Sequence, residues 1–229
     1  MKNTISFVIG LLILVQTCFG QHGSADSTKS KSSKPEHHSI GIGIKAGVNF
    51  ANVTNASSIS SSNETGFHAG IIYAPPSKSI ISSSTELLFS RQGYNYASGN
   101  NTGTVNLDYI ILQQLMCINI TKFVSIQLGA QFAYLINAKA DSSQQYNTGN
   151  ATANEILSYY NRYDYGFGGG IEVHPFMGLL VGARYNISLN NLYKEPTSFP
   201  SGGIPSFIPS TSSINLKNNL VQLYAGWRF

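Results

Sequence analysis

From Ile40 to the C-terminus the chain keeps returning to one pattern, apolar and polar residues alternating over about ten positions at a time. A period of two marks a β-strand with two chemically different faces, because a helix, turning about every 3.6 residues, would mix the two sets. In the first such segment Ile40, Ile42, Ile44, Ala46, Val48 and Phe50 share one face, and Gly41, Gly43, Lys45, Gly47 and Asn49 the other. The second, 65–74, sets Phe67, Ala69, Ile71 and Tyr73 against Gly66, His68, Gly70 and Ile72, and Pro75-Pro76-Ser77 then turns the chain. In the third, 80–92, Leu87 and Phe89 alternate with Glu86, Ser90 and Gln92, while Leu88 interrupts the polar face. The fourth, 106–118, is apolar on both faces, and its sides are left open by the sequence. The fifth, 124–136, sixth, 163–174, seventh, 179–190, and eighth, 221–229, restore the alternation.

The connections alternate too. Long ones are expected over 52–64, 93–105, 138–161 and 191–214, and short ones over 75–79, 119–122 and 175–178. Barrels of bacterial outer membranes have short turns on the periplasmic side and long outer loops, which would place both chain ends in the periplasm. Pro196, Pro200, Pro205 and Pro209 keep the last long connection from being a central strand.

Alternation would equally suit a soluble barrel with its apolar face inside. The composition favours lipid outside. Charged residues are 10% of the 229-residue chain, against about 25% in soluble domains, and the polar faces consist mostly of Gly, Ser, Asn and Gln, small enough for a cramped lumen. Beyond the N-terminus no apolar run reaches the roughly 18 residues of a membrane-spanning helix, so strands must do the crossing. They are long enough, since about 9–11 tilted residues suffice. Aromatic residues gather at the strand ends, Phe50, Phe67, Phe89, Tyr134, Tyr163 and Tyr165 toward the long loops and Tyr73, Trp227 and Phe229 toward the short turns, in the manner of two interfacial girdles. Closure of the sheet removes edges whose unpaired backbone groups would each cost several kcal/mol in hydrocarbon. The expected fold is therefore all-β, a closed eight-stranded antiparallel up-and-down transmembrane β-barrel occupying 39–229.

An eight-stranded barrel is just filled by its own side chains, so an open channel is not expected. Lys45, Arg184 and Arg228 are predicted to point inward with Glu86, Asp164 and Glu172, three charges of each sign that can neutralise one another. Such a lumen network has a structural role by default, with a gate or proton path as the competing reading.

Met1-Lys2, the apolar run Ile5 to Val15 and a small residue at Gly20 have the layout of a secretory signal peptide over 1–20. The run is short for a membrane anchor, and Thr17 before Cys18 is larger than lipidation sites favour. Residues 21–38, rich in Ser and Lys with almost no large apolar side chain, read as a flexible periplasmic tether. Removal of Cys18 leaves Cys117 without an internal disulfide partner. His37 and His38 lack the further ligands of a metal site, His68 and His174 lie far apart along the barrel, and neither suggests catalysis. The Gly166–Gly170 run alternates on a strand with no following helix, unlike a phosphate loop. Asn-x-Ser/Thr triplets at Asn52, Asn55, Asn63 and Asn150 are what an Asn- and Ser/Thr-rich chain contains by chance. The net charge of +4 is spread thinly, without the basic, aromatic-laced patch of a nucleic-acid binder. No catalytic, metal or cofactor residues are assigned, and an enzyme is not expected.

Gly43-Ile44-Lys45-Ala46-Gly47-Val48-Asn49, Glu86-Leu87-Leu88-Phe89-Ser90-Arg91-Gln92-Gly93, Gly168-Gly169-Gly170-Ile171-Glu172 and Ala183-Arg184-Tyr185-Asn186 come in an order that resembles the PorT-like outer-membrane β-barrel proteins, a group similar in build to small OmpA- and OmpX-type barrels. The resemblance covers roughly Ile40 to Phe229. Where such proteins often carry Pro after an apolar triplet in strand four, this chain has Gln113-Gln114. The terminal Leu223-Tyr224-Ala225-Gly226-Trp227-Arg228-Phe229 looks like the aromatic-ended strand read by the outer-membrane insertion machinery. The resemblance implies the outer membrane of a Gram-negative bacterium, with membrane lipid and that machinery as partners. It names no ligand: a structural or loop-mediated role in adhesion, secretion or envelope integrity, with an unknown extracellular or envelope partner, competes with a narrow transporter or channel and with a membrane-embedded enzyme.

Overall fold

Each alternating segment is a strand. In a computed structural model that describes residues 41–54, 62–77, 79–98, 101–142, 157–176, 178–194 and 217–229, the strands are β1 Ile42–Thr54, β2 Ser62–Tyr73, β3 Ile81–Ser98, β4 Asn101–Asn119, β5 Val124–Ser142, β6 Tyr163–Val173, β7 Leu179–Ser188 and β8 Lys217–Arg228. Every strand pairs antiparallel with its sequence neighbours, and β1 pairs with β8, so the sheet is a closed up-and-down ring. The signal peptide and tether expected over 1–38 lie outside the described residues.

Following the register from Ala46 through Ala69, Phe89 and Ile110 leads to Tyr134 on β5. Going round the other way through Ala225, Val181 and Val173 leads to Val124. The ring thus closes with a stagger of ten residues, 134 less 124, which for eight strands tilts them by about 40°. That tilt brings strand ends with quite different sequence positions to similar heights.

Side chains alternate across the wall as the sequence requires. Ile44, Phe67, Leu87, Leu128, Phe167, Ile171, Leu223 and their like are exposed on the outside, forming one continuous apolar surface, far larger than a soluble monomer leaves in water. The inner face holds the buried polar residues, among them Asn49, Gln127, Arg184, Asn186 and Gln222. β4, undecided in sequence, turns Leu107, Tyr109, Ile111, Gln113, Leu115 and Cys117 inward, while Ile110 and Met116 face out. Leu88, the interruption in β3, is fully buried in the lumen.

One expected connection is corrected. Residues 93–105 are not a long loop: β3 and β4 run on as a paired hairpin from Tyr94↔Val105 to Ser98↔Asn101, and β5 continues beyond Leu135 to Ser142 paired with β4 alone. Tyr, Thr and Val recur here at strand spacing, and nothing obliges strands to stop where the bilayer does. The β3–β4–β5 wall therefore stands higher than β6 and β7. Two register shifts, between Asn63 and His68 on β2 and at Asp108/Tyr109 opposite β5, mark where it leaves the regular cylinder; such bulges bend a strand and re-aim its side chains.

Candidate functional site

The lumen is the one place where the fold concentrates chemistry, and it is filled in layers. Toward the short turns Ile72, Ala74 and Leu180 pack with Tyr224. Above them Lys45 Nζ on β1 donates to Glu86 Oε2 on β3 at 2.6 Å. Arg184 on β7 reaches the same carboxylate with both terminal nitrogens, Nη1 to Oε2 at 2.8 Å and Nη2 to Oε1 at 3.0 Å. The guanidinium also donates to Gln113 Oε1 on β4 and Gln127 Oε1 on β5. Tyr224 on β8 completes the group: its ring centroid lies 3.8 Å from Lys45 Nζ, and its hydroxyl lies 3.0 Å from Gln127 Oε1 and 3.2 Å from Glu172 Oε2 on β6. Seven of the eight strands thus send a side chain into one clasp. Two cations on one carboxylate satisfy charges that the narrow interior would otherwise penalise strongly.

Glycines make the room. A Cβ on Gly182 would sit 2.5 Å from the Tyr224 hydroxyl, and one on Gly168 2.1 Å from Asn186 Oδ1. A second polar layer follows. Asn49 Nδ2 donates to Phe67 O, Ser90 Oγ and Arg91 O at 2.9–3.0 Å, its Oδ1 faces His68 Nδ1 at 2.8 Å, and Asn186 Nδ2 donates to Gln222 Oε1 at 2.8 Å.

Toward the long loops the lumen turns apolar. Leu88, Val105, Leu107, Tyr109, Ile111, Ala133 and Leu135 of the wall pack against Leu157, Tyr160, Leu192 and Tyr193, which come from the connections after β5 and β7. Those connections are tied to each other. Tyr160 and Tyr193 form an antiparallel bridge, Asn161 N donates to Leu192 O and Lys194 N to Tyr159 O, both at 3.0 Å. Asn161 Nδ2 donates to Asn191 O and Tyr193 O, and Lys194 Nζ to Ser158 O. Underneath, the Tyr94 hydroxyl bonds those of Tyr160, at 2.9 Å, and Tyr193. Burial, and then the neighbouring Tyr193, raise the Tyr160 hydroxyl well above its ordinary pKa, so it stays a neutral phenol. The result is a stopper seated in the mouth of the barrel.

Of the six charges predicted to share the lumen, the structure brings Lys45, Glu86 and Arg184 into one ion-paired group. Glu172 joins through Tyr224 and also pairs with His174, Oε1 to Nε2 at 3.3 Å. Arg228 Nη2 lies 3.4 Å from His174 Nδ1 at the short-turn end. Asp164 stands apart near the long loops, accepting from Ser188 Oγ. His68 and His174 occupy separate layers. Phe50, Phe67, Tyr73, Tyr163, Tyr165, Trp227 and Phe229 are exposed on the outer face, and Phe89 and Tyr134 are partly exposed there. Among the described residues no three His, Cys, Asp or Glu come together to hold a metal ion; His37 and His38 lie outside them. The stopper escaped the sequence reading because Tyr94, Tyr160 and Tyr193 all fell in expected loops. Its one signal was Leu-Tyr and Tyr-Tyr pairs inside otherwise polar connections.

A family model for the outer membrane protein beta-barrel domain matches residues 20–194. Among solved structures the chain is similar to Ail, the attachment invasion locus protein of Yersinia pestis, at 15% identity and a TM-score of 0.45, covering 82% of this chain and 97% of that one. It is similar to Neisserial surface protein A at 14% and 0.46, covering 82% and 97%, and to E. coli outer membrane protein W at 14% and 0.41, covering 85% and 100%. At these identities and TM-scores nothing is carried over from those proteins. No curated protein sequence matches the chain.

Proposed function

This chain belongs to the outer membrane protein β-barrel domain family, and from that premise we propose that it is a closed, non-conducting barrel whose role is structural or loop-mediated, holding its long connections toward a partner outside the cell or in the envelope. The observation that carries the reading is the double occlusion of the lumen. The Arg184 clasp spans it at mid-height, and the tyrosine-tied stopper fills its mouth. A transporter needs a continuous path, and loops meant for recognition need a rigid stand; this interior suits the second.

Within this proposal the chain is a PorT-like protein, exported by its first twenty residues, with both ends in the periplasm and the long connections outside. Its last strand serves recognition by the insertion machinery. The clasp groups are held by one another rather than presented to a substrate, so the reading assigns no enzymatic role. Planar-bilayer recording of the purified barrel tests it. A silent membrane is the expected result, and stepwise openings of uniform size would replace the proposal by a narrow channel.

A further inference from the structure

Outside the lumen, a charged group sits on the wall that faces lipid. Arg91 on β3 lies two residues beyond the outward Phe89, and it pairs bidentately with Asp108 on β4, Nε to Oδ1 at 2.7 Å and Nη2 to Oδ2 at 3.1 Å. Asn137 Nδ2 on β5 donates to Asp108 Oδ2 at 3.0 Å. The register shift here sets Asp108 opposite Asn137 and Tyr109 opposite Leu135. Ile136, left over between them, is exposed on the outer face, and Lys139, two places beyond Asn137, is exposed as well. Arg162, also exposed, adjoins the first residue of β6 and has Nη1 3.5 Å from the Tyr134 hydroxyl.

Arg91 and Lys139 both act on this one carboxylate, with Arg162 standing beside Tyr134, and the carboxylate is the sheltered member: the Asp108 side chain is 7% exposed and that of Arg91 43%. Directly below lies an apolar and aromatic floor. Phe67 carries the Arg91 guanidinium 5.5 Å above its ring and touches Phe89 at 5.9 Å. Phe89, Ile110, Tyr134 and Tyr163 follow one another across four strands. Cations at the brim of an apolar band meet lipid headgroups. They are spread from β3 across β4 to β5 and the residue before β6, with Arg91 and Lys139 two strand spacings, about 10 Å, apart across the sheet and Lys139 about 7 Å further along its strand than Asn137, which suits a broad headgroup with more than one phosphate better than a single phosphodiester.

We propose that Arg91, Lys139 and Arg162, with the Asn137 amide, bind the phosphates of a phosphorylated glycolipid of the outer leaflet, whose acyl chains lie on Phe67, Phe89 and Tyr134. This rests on the reading that the long-loop end faces outward.

The test uses the whole barrel in neutral detergent with three probes, diphosphorylated lipid A, the same lipid dephosphorylated, and phosphatidylglycerol, and measures the lipid-bound fraction by native mass spectrometry. Diphosphorylated lipid A is expected to bind best. The variant K139Q/R162Q leaves the Arg91–Asp108 pair intact and is expected to bind it about twenty-five-fold more weakly, at roughly fivefold per cation lost near a membrane surface. Equal binding by the variant, or by the dephosphorylated lipid, overturns the proposal; phosphatidylglycerol binding as tightly reduces the surface to a general attraction for anions and overturns it too. Labelling of T102C on intact cells by a membrane-impermeant maleimide reports orientation separately. A labelled protein that ignores lipid A sinks this inference alone, and an unlabelled one sinks the outward orientation and the inference with it.

Discussion

Glu86 is the residue on which the lumen charges depend, because it alone answers both Lys45 and Arg184. Replacing it by Gln keeps the shape and leaves two buried cations with no carboxylate paired to them, Glu172 reaching the group only through Tyr224. Glu86→Gln is expected to cost about 3–5 kcal/mol, read as a lowered urea midpoint in refolding followed by gel mobility. Asp164→Asn removes a carboxylate held by neutral donors alone, the Ser188 hydroxyl and the backbones of Tyr165 and Asn190, and is expected to cost no more than about 1 kcal/mol; equal losses for the two variants would deny the clasp its central place. Gly182→Val, driving a side chain at the Tyr224 hydroxyl, is expected to cost about 1–3 kcal/mol by overpacking. That Lys45, Glu86 and Arg184 point inward was legible from parity along each strand. Which of the six charges would meet was not, because the pairs join β1, β3 and β7 across the lumen and depend on the stagger of the ring, a quantity no single strand carries.

The elements hold a different lesson. Strand existence followed from alternation, but the segments read for β3, β4 and β5, 80–92, 106–118 and 124–136, fall short of the loop-side ends at Ser98, Asn101 and Ser142. Their continuation follows the same rule of β-forming residues at alternate positions, with paired neighbours in place of lipid. β4 defied a choice of side because its inner face near the loops packs on the apolar stopper instead of polar lumen groups. The stopper itself is joined by a bridge and a few hydrogen bonds, so it should open before the barrel does. Leu157→Ala, emptying part of its base, is expected to cost about 2–5 kcal/mol locally. Hydrogen exchange checks this: the amides of Asn161 and Lys194, bonded to Leu192 O and Tyr159 O, should exchange faster in the variant, while those of the β1–β8 seam keep their protection. Unchanged exchange at both would mean that the two connections are held by something other than their shared core.

For the whole molecule the decisive claim is which face meets lipid. The ring topology followed from the order of long and short connections, and membership of the barrel family agrees with it, yet a closed ring could in principle be read with either face outward until the side chains are placed. Here they are: Gln127 and Arg184 are buried inside while Leu128 and Leu223 stand outside. The single tryptophan of the chain makes a probe that needs no substitution. Trp227 lies one residue from the end of β8, 45% exposed on the outer face, at the short-turn rim where an indole prefers the boundary between headgroups and hydrocarbon. In vesicles of brominated phosphatidylcholine its fluorescence should be quenched, more strongly by bromine near the carbonyl end of the acyl chain than by bromine near its terminus. Quenching by aqueous iodide should be weak. Strong iodide quenching with no response to any bromolipid would put the apolar face against something other than acyl chains; quenching strongest at the chain terminus would place Trp227 at mid-membrane and shift the entire barrel along the bilayer normal.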